Sequence, residues 1–188
     1  MDHLQAILDP CMEELISRIG RCAGNLYESR QMLCAEAVAV ALNRGLNGGL
    51  TDSQAVALAA PFSVAMGESG CLCGALSGAV LVSGLLLGQM QPHRRRQRMR
   101  QFSRQLHDRF KAANGNTCCR VLSRHVRHDR KAHFEQCAGL TASTAAMAAR
   151  LVLAESPGLA AGADNGYLNR RQSLIGGAWW RLVNLLSR

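Results

Sequence analysis

The chain has 188 residues and a formal net charge of +9, with 48% apolar residues but only 4% aromatic ones. That is enough apolar material for a real core, and with so few rings the core must be Ala, Val and Leu packed at close range, which suits helix-on-helix contact. Runs of alternating β-branched residues bounded by turn pairs are missing, which argues against a sheet.

The charge is concentrated. Between Arg94 and Lys131 stand 13 Lys or Arg against Asp108 and Asp129, so the rest of the chain is close to neutral. Eight cysteines are many for this length. The first residues, MDHLQAILDPCMEEL, carry neither a basic nor an apolar leader region, so the chain is expected in the cytoplasm, where persistent structural disulfides are disfavoured. Cysteine richness in that compartment points to metal, cluster or redox chemistry. Several of the eight are expected to be small buried hydrophobes.

In chain order, a first helix is expected over Leu4 to Ile19, ending near Gly20, and a second from Glu28 to Leu46, stopped by Gly45, Gly48 and Gly49. On the second, Cys34, Val38, Ala41 and Leu42 share one face, because spacings of three and four return to the same side. Thr51 or Asp52 caps a short third helix that Pro61 limits. The loop PFSVAMGESG leads to a fourth helix over Leu72 to Met90. The fifth is basic, with Met99, Phe102, Leu106 and Phe110 as its apolar stripe. After a turn at NGNT comes the short helix CCRVLSRHV, then a long helix from Arg130 to Glu155 on which Cys137, Leu140, Thr144, Met147 and Leu151 repeat; Pro157 ends it. Residues 158–168 read as a linker, and a final amphipathic helix carries both tryptophans.

The stretch from Ser69 to Pro92 holds no charge and is followed by HRRRQRMR, the length and flank of a membrane span. Its first third, however, is Gly, Ser and Cys, and the amphipathic neighbours need a central partner. A buried core helix is therefore expected, with no membrane span.

Four pieces stand in order: LCAEAVAVAL, PFSVAMGESGCLCGALSGAVLVSG, CCRVL and CAGLTASTAAMAARLVL. Together they resemble the C-GCAxxG-C-C family of redox proteins, whose cysteine domain is also associated with split-Soret cytochrome c. The resemblance covers residues 27 to 155 and rests on Cys34, on Cys73-Gly74-Ala75 with Gly78, on Cys119-Arg120 with Leu122, and on Cys137. Here the chain reads Cys-Gly-Ala where the motif has Gly before Cys, and its loop has Ser-Val-Ala where glycines are usual. The resemblance implies an all-helical domain whose four cysteines converge in a redox role. The fold expected is therefore all-α: a single-domain bundle of about six to eight helices around a buried glycine-rich central helix. Residues 1–26 would form an N-terminal helical extension, 27–156 the cysteine domain, and 157–188 a linker and C-terminal amphipathic helix.

Cys34, Cys73, Cys119 and Cys137 are thus the candidate redox or metal-ligating residues, and Gly74, Gly78, Cys71 and Cys118 the candidates around a cofactor. Cys73 at a helix start should have a lowered thiol pKa and be the most reactive, because unpaired amides and the helix dipole favour its thiolate. Four converging thiolates would suit zinc or an iron–sulfur cluster, and two converging pairs would support dithiol–disulfide cycling. The gaps of 39, 46 and 18 residues leave these alternatives open. No Cys-x-x-Cys-His occurs, so covalent haem attachment is excluded. His125, His128, His133 and Cys137 form a lesser candidate metal group. The Arg-rich segment from 94 to 131 is expected to dock an acidic redox protein rather than nucleic acid, since it lacks interleaved aromatic residues. A homo-oligomer is compatible with the pattern. The alternative function is a non-enzymatic helical adaptor that binds an acidic partner or nucleic acid through that segment.

Overall fold

A computed structural model of the chain describes residues 9–88 and 92–171. Its elements are helical throughout the described residues: α1 (Pro10–Glu28), α2 (Cys34–Gly45), α3 (Asp52–Ala59), a 3₁₀ turn (Ala60–Phe62), α4 (Ser63–Glu68), α5 (Gly74–Gly88), α6 (Pro92–Asn114), α7 (Cys119–Leu122), α8 (Arg130–Glu155), a second 3₁₀ turn (Pro157–Gly162) and α9 (Asn165–Leu168). The chain forms an all-α single-domain bundle, as its composition requires.

Two helices share the centre. In α2, Ala35 and every residue from Ala37 to Leu42 are fully buried. It is apolar on all sides, as a helix enclosed by others must be. The glycine-rich α5 lies against it and buries Ala75, Leu76, Ala79, Val82 and Leu86. At 15 residues α5 is about 22 Å long by its rise per residue, short of a bilayer's hydrocarbon core of about 30 Å. The part of the uncharged run that forms α5, Gly74–Gly88, is therefore spent largely on the interior of the bundle, while Ser69, Cys71 and Leu72 before it are exposed and residues 89–91 lie outside the described set. The long helix α8 is also apolar enough to cross a membrane by length and composition, but Ala145, Ala148, Ala149, Val152 and Leu153 are fully buried inside the bundle.

The first helix does not stop at Gly20. It runs to Glu28, capped at its start by Asp9, whose carboxylate accepts the Met12 N–H at 2.9 Å. Gly20 and Gly24 are contact glycines rather than terminators. A Cβ on Gly20 would stand 3.0 Å from the Ala142 carbonyl oxygen, and one on Gly24 would stand 3.1 Å from the Ala142 methyl. Small residues on both partners bring α1 close to α8, and an Arg150–Glu13 ion pair ties the two helices at the surface. Residues 10–26 are thus part of the core, with Ile16, Ile19, Ala23 and Leu26 buried, and not an extension to it.

The second helix begins later than its periodicity suggests, at Cys34, where the Glu36 side chain accepts the Leu33 N–H at 2.8 Å. Residues 157–168, expected as a linker, instead fold onto the bundle. Asp164 N–H donates to the Arg44 carbonyl, the Arg44 guanidinium lies 4.9 Å from the Tyr167 ring, and Arg18 donates to Asn165 at 2.8 Å. The C-terminal tryptophan-bearing helix lies outside the described residues. Helix α6 buries Phe102, Leu106 and Phe110 as its stripe requires and exposes its arginines.

Where glycines are usual in the loop before α5, this chain has Ser63-Val64-Ala65-Met66, and the backbone still takes the left-handed path. Val64, Ala65 and Met66 sit at φ 52°, 55° and 55°, followed by Gly67 at 62°. Each non-glycine residue there costs about 1–2 kcal/mol relative to the right-handed region. The Ser63 hydroxyl is buried with no hydrogen-bond partner, a further cost. Met66 is half exposed, so Met66→Gly should relieve strain without opening the core. Urea unfolding should show it more stable than wild type by about 0.5–1 kcal/mol; a loss of stability would contradict the strain.

Candidate thiol site

Three of the four candidate cysteines start helices. Cys34 is the first residue of α2 and Cys119 the first of α7, while Cys73 stands directly before α5. Cys73 acts as the N-cap: its carbonyl accepts the Ser77 N–H at 3.0 Å, and its own N–H donates to the Thr117 carbonyl at 2.9 Å. That last bond fixes the loop before α7 against the start of α5. Cys137 comes from the second turn of α8, which Asp129 caps by accepting the Lys131 and Ala132 N–H groups.

These elements bring all four sulfurs to one place. Cys34, Cys73, Cys119 and Cys137 line a single cavity of about 20 Å³, walled by Gly74, Leu122 and Leu140 among others. Sequence gaps of up to 46 residues thus close in space. Cys34 and Cys119 are the two thiols whose charge reaches both Cys73 and Cys137.

Gly74 and Gly78 explain how α5 reaches this position. A Cβ on Gly74 would stand 2.5 Å from the Cys34 sulfur and 2.9 Å from the Phe62 carbonyl oxygen, and one on Gly78 would run into the Ala35 backbone. Gly74 lines the cavity. Gly78 serves the contact with α2 and does not line it. Cys71 and Cys118 do not line it either; they lie against each other outside.

The electrostatics overturn the expectation of a lowered thiol pKa. Burial pushes Cys73 up to about 12, although the Leu76 and Ala75 amides at the helix start pull it down. Burial likewise raises Cys137 to about 11, with the charges of Cys119 and Cys34 adding to the effect. Cys34 and Cys119 are raised for the same first reason; at Cys34 the Val64 amide from the left-handed turn opposes the shift. Desolvation outweighs the helix dipole here. All four are therefore neutral thiols near pH 7.

Their arrangement is not that of a metal centre. Among the described residues, no three His, Cys, Asp or Glu side chains are grouped so as to hold a metal ion. The cavity of about 20 Å³ has room for about one water-sized guest. The zinc and iron–sulfur expectations at Cys34, Cys73, Cys119 and Cys137 thus find no such ligand group among the described residues. The histidine group fails as well: His125 and His128 accept hydrogen bonds from Arg124 and Arg127 at the surface.

Sequence reasoning missed Tyr27. Its hydroxyl hydrogen-bonds the Cys137 sulfur, and its ring stacks on Phe134 with centroids 5.1 Å apart. Burial raises the Tyr27 phenol well beyond its ordinary range, so it remains a donor. No spacing marks it, because it comes from α1, ahead of the first of the four motif pieces. Cys22 is a buried core residue with its thiol pushed up to about 12 by burial, and Cys11 is exposed.

The described residues form an all-helical bundle that gathers four cysteines, from three helices and the start of a fourth, into one small cavity. The family described as "Putative redox-active protein (C_GCAxxG_C_C)" matches residues 32–151. The chain belongs to that family, and its role is a redox one. Comparison with curated proteins and with solved structures finds no match to the chain.

Because burial raises the Cys73 and Cys137 pKa values to about 12 and about 11, whereas a thiol in the unfolded chain ionises near about 8.5, their burial stabilises the fold fully below the unfolded value. That stability drains away as pH rises through the folded values. Thermal unfolding should hold steady to about pH 8 and fall steeply above it, and the fall should be shallower in Cys73→Ser. Identical slopes for the variant and wild type would contradict the buried-thiol assignment.

Proposed function

We propose that the chain is a metal-free thiol electron carrier in which Cys34, Cys73, Cys119 and Cys137 cycle between dithiol and disulfide. The observation that carries this reading is that all four sulfurs line one small cavity. Cys119 is the entry thiol: it is half-buried on a four-residue helix, whereas Cys73 is only 5% exposed. As a thiolate it attacks a disulfide of a partner protein, releasing one partner thiol and forming a mixed disulfide. Cys34 or Cys137 then attacks the Cys119 sulfur and releases the second partner thiol. Two thiols of this chain are oxidised by two electrons, and the partner's disulfide becomes two thiols that carry the two protons. Run backwards, the same steps deliver the electrons. Tyr27 donates to Cys137 and steadies the thiolate that forms there.

Protein purified without oxygen should contain no stoichiometric iron, zinc or sulfide and no visible chromophore. Because the reduced thiols remain protonated, the couple takes up two protons per two electrons, and its potential should fall by about 59 mV per pH unit from about pH 6 to pH 8. A stoichiometric metal, or a slope that flattens near neutrality, would sink the reading.

The partner's surface follows from α6. Arg94, Arg96, Arg100 and Arg104 are exposed along it, whereas Arg98 is held by Glu155 at 2.7 Å and Arg95 donates to the Leu87 carbonyl. The exposed set fits an acidic redox protein, which it would steer electrostatically. Exchange with an acidic peptide disulfide should slow steeply as salt is raised, and exchange with a neutral one should hardly change. Equal salt dependence, or Arg94→Glu, Arg100→Glu and Arg104→Glu together leaving the acidic reaction untouched, would remove α6 from the docking surface.

A further inference from the structure

Two cysteines outside the four-thiol cavity stand against each other. The Cys71 thiol hydrogen-bonds the Cys118 sulfur, and the Cys118 thiol donates to the Gly70 carbonyl at 3.0 Å. Backbone bonds hold them in place. The Cys73 N–H donates to the Thr117 carbonyl at 2.9 Å and the Arg120 N–H to the Gly70 carbonyl at 3.0 Å. The Arg120 guanidinium closes the set by donating to the Ser69 carbonyl at 2.9 Å. The two sulfurs therefore meet because segments 69–73 and 117–120 are laced together, not through a chance of side-chain rotation. Cys71 is exposed and Cys118 half-buried, so Cys71 is the thiol that meets an incoming disulfide and Cys118 the one that resolves it; Cys118 beside it raises the Cys71 thiol pKa, an effect the Arg120 charge opposes.

We propose that Cys71 and Cys118 form a second, peripheral dithiol site that closes to a disulfide by exchange with a disulfide-bearing molecule from solution, separately from the buried four. The Cys71 thiolate attacks one sulfur of the incoming disulfide; that S–S bond breaks and one thiol leaves with a proton. Cys118 gives up its proton and attacks the Cys71 sulfur, and the second thiol leaves with that proton. Two thiols of this chain are oxidised by two electrons, and the incoming disulfide is reduced to two thiols. The new bond joins the loop that carries Cys73 to the segment that carries Cys119, and so clamps together two of the four elements that form the cavity. The site depends on the lacing of these segments and not on the redox cycle of the buried thiols.

The test uses the full chain with Cys11→Ser, which removes an exposed thiol outside both sites. The folded protein is exposed to oxidised glutathione, the remaining thiols are counted by mass tagging after denaturation, and bonds are located by fragmentation mass spectrometry. The expected result is the loss of two tags together, a mass decrease of two hydrogens, and a bond between residues 71 and 118. Cys71→Ser and Cys118→Ser should each abolish that bond and leave the surviving partner carrying one glutathione. Cys73→Ser and Cys137→Ser should each leave it intact, whatever they do to the buried set. Separate glutathiones on Cys71 and Cys118 of the parent, or Cys118 bonded to Cys119, would overturn the proposal. So would dependence of the 71–118 bond on Cys73 or Cys137.

Discussion

The distance between α5 and the first turn of α2 governs the rest of the structure, and two missing side chains set it. Hydrogen is the only substituent that fits at Gly74, beside the Cys34 sulfur and the Phe62 carbonyl, or at Gly78, against the Ala35 backbone. Any methyl there would push α5 outward, and Cys73, which begins that helix, would move away from Cys34. Each glycine lowers intrinsic helix stability by about 1 kcal/mol relative to Ala. The gain is dense contact along two helices whose largest apolar residues are Leu and Val. The same device recurs at Gly20 and Gly24, where α1 closes on Ala142 of α8. A core so poor in aromatic rings needs this, because small side chains make up for size only by bringing backbones together.

What the sequence reveals depends on whether a signal is local. The bounds of α8 are legible to the residue, because Asp129 caps its start and Pro157 forbids its continuation. Gly20 misleads because a glycine that ends a helix and one that admits a neighbour look alike until the neighbour is known. Cys34 looks like a mid-helix residue because the apolar repeat extends upstream of it, whereas the capping interaction of Leu33 with Glu36 starts the helix there. Periodicity carries no trace of the fold-back of residues 157–168, which depends on polar contacts to Arg44 and Arg18. The meeting of the four cysteines was legible only through motif resemblance, since gaps of 39, 46 and 18 residues hold no geometric information. Tyr27 was not legible at all.

Helix starts and burial oppose each other at this site. Three of the four thiols sit where unpaired amides favour an anion, which on sequence grounds suggests a ready nucleophile. The same crowding that brings the helix ends together removes water, so one thiolate there meets low dielectric, and a second would also meet the cost of a like charge beside it. Desolvation is the first cause at every one of the four. The amides still matter. They reduce the shift at Cys73 and Cys34, and they become most valuable when one sulfur must carry charge briefly during exchange.

That balance gives meaning to two features particular to this chain. The left-handed turn at Val64–Gly67 is strained, yet it aims the Val64 amide at Cys34, so relaxing its path would remove a group that stabilises the thiolate. Tyr27 does for Cys137 what backbone amides do for Cys34 and Cys73: Cys137 lies inside α8, where the backbone amides are already bonded within the helix, and a side-chain hydroxyl supplies the missing donor. That hydroxyl comes from α1, which lies outside the family match at 32–151. The first helix therefore contributes to the site as well as to the core. Its close packing on α8 through Gly20 and Gly24 is what holds a phenol within reach of a thiol 110 residues away.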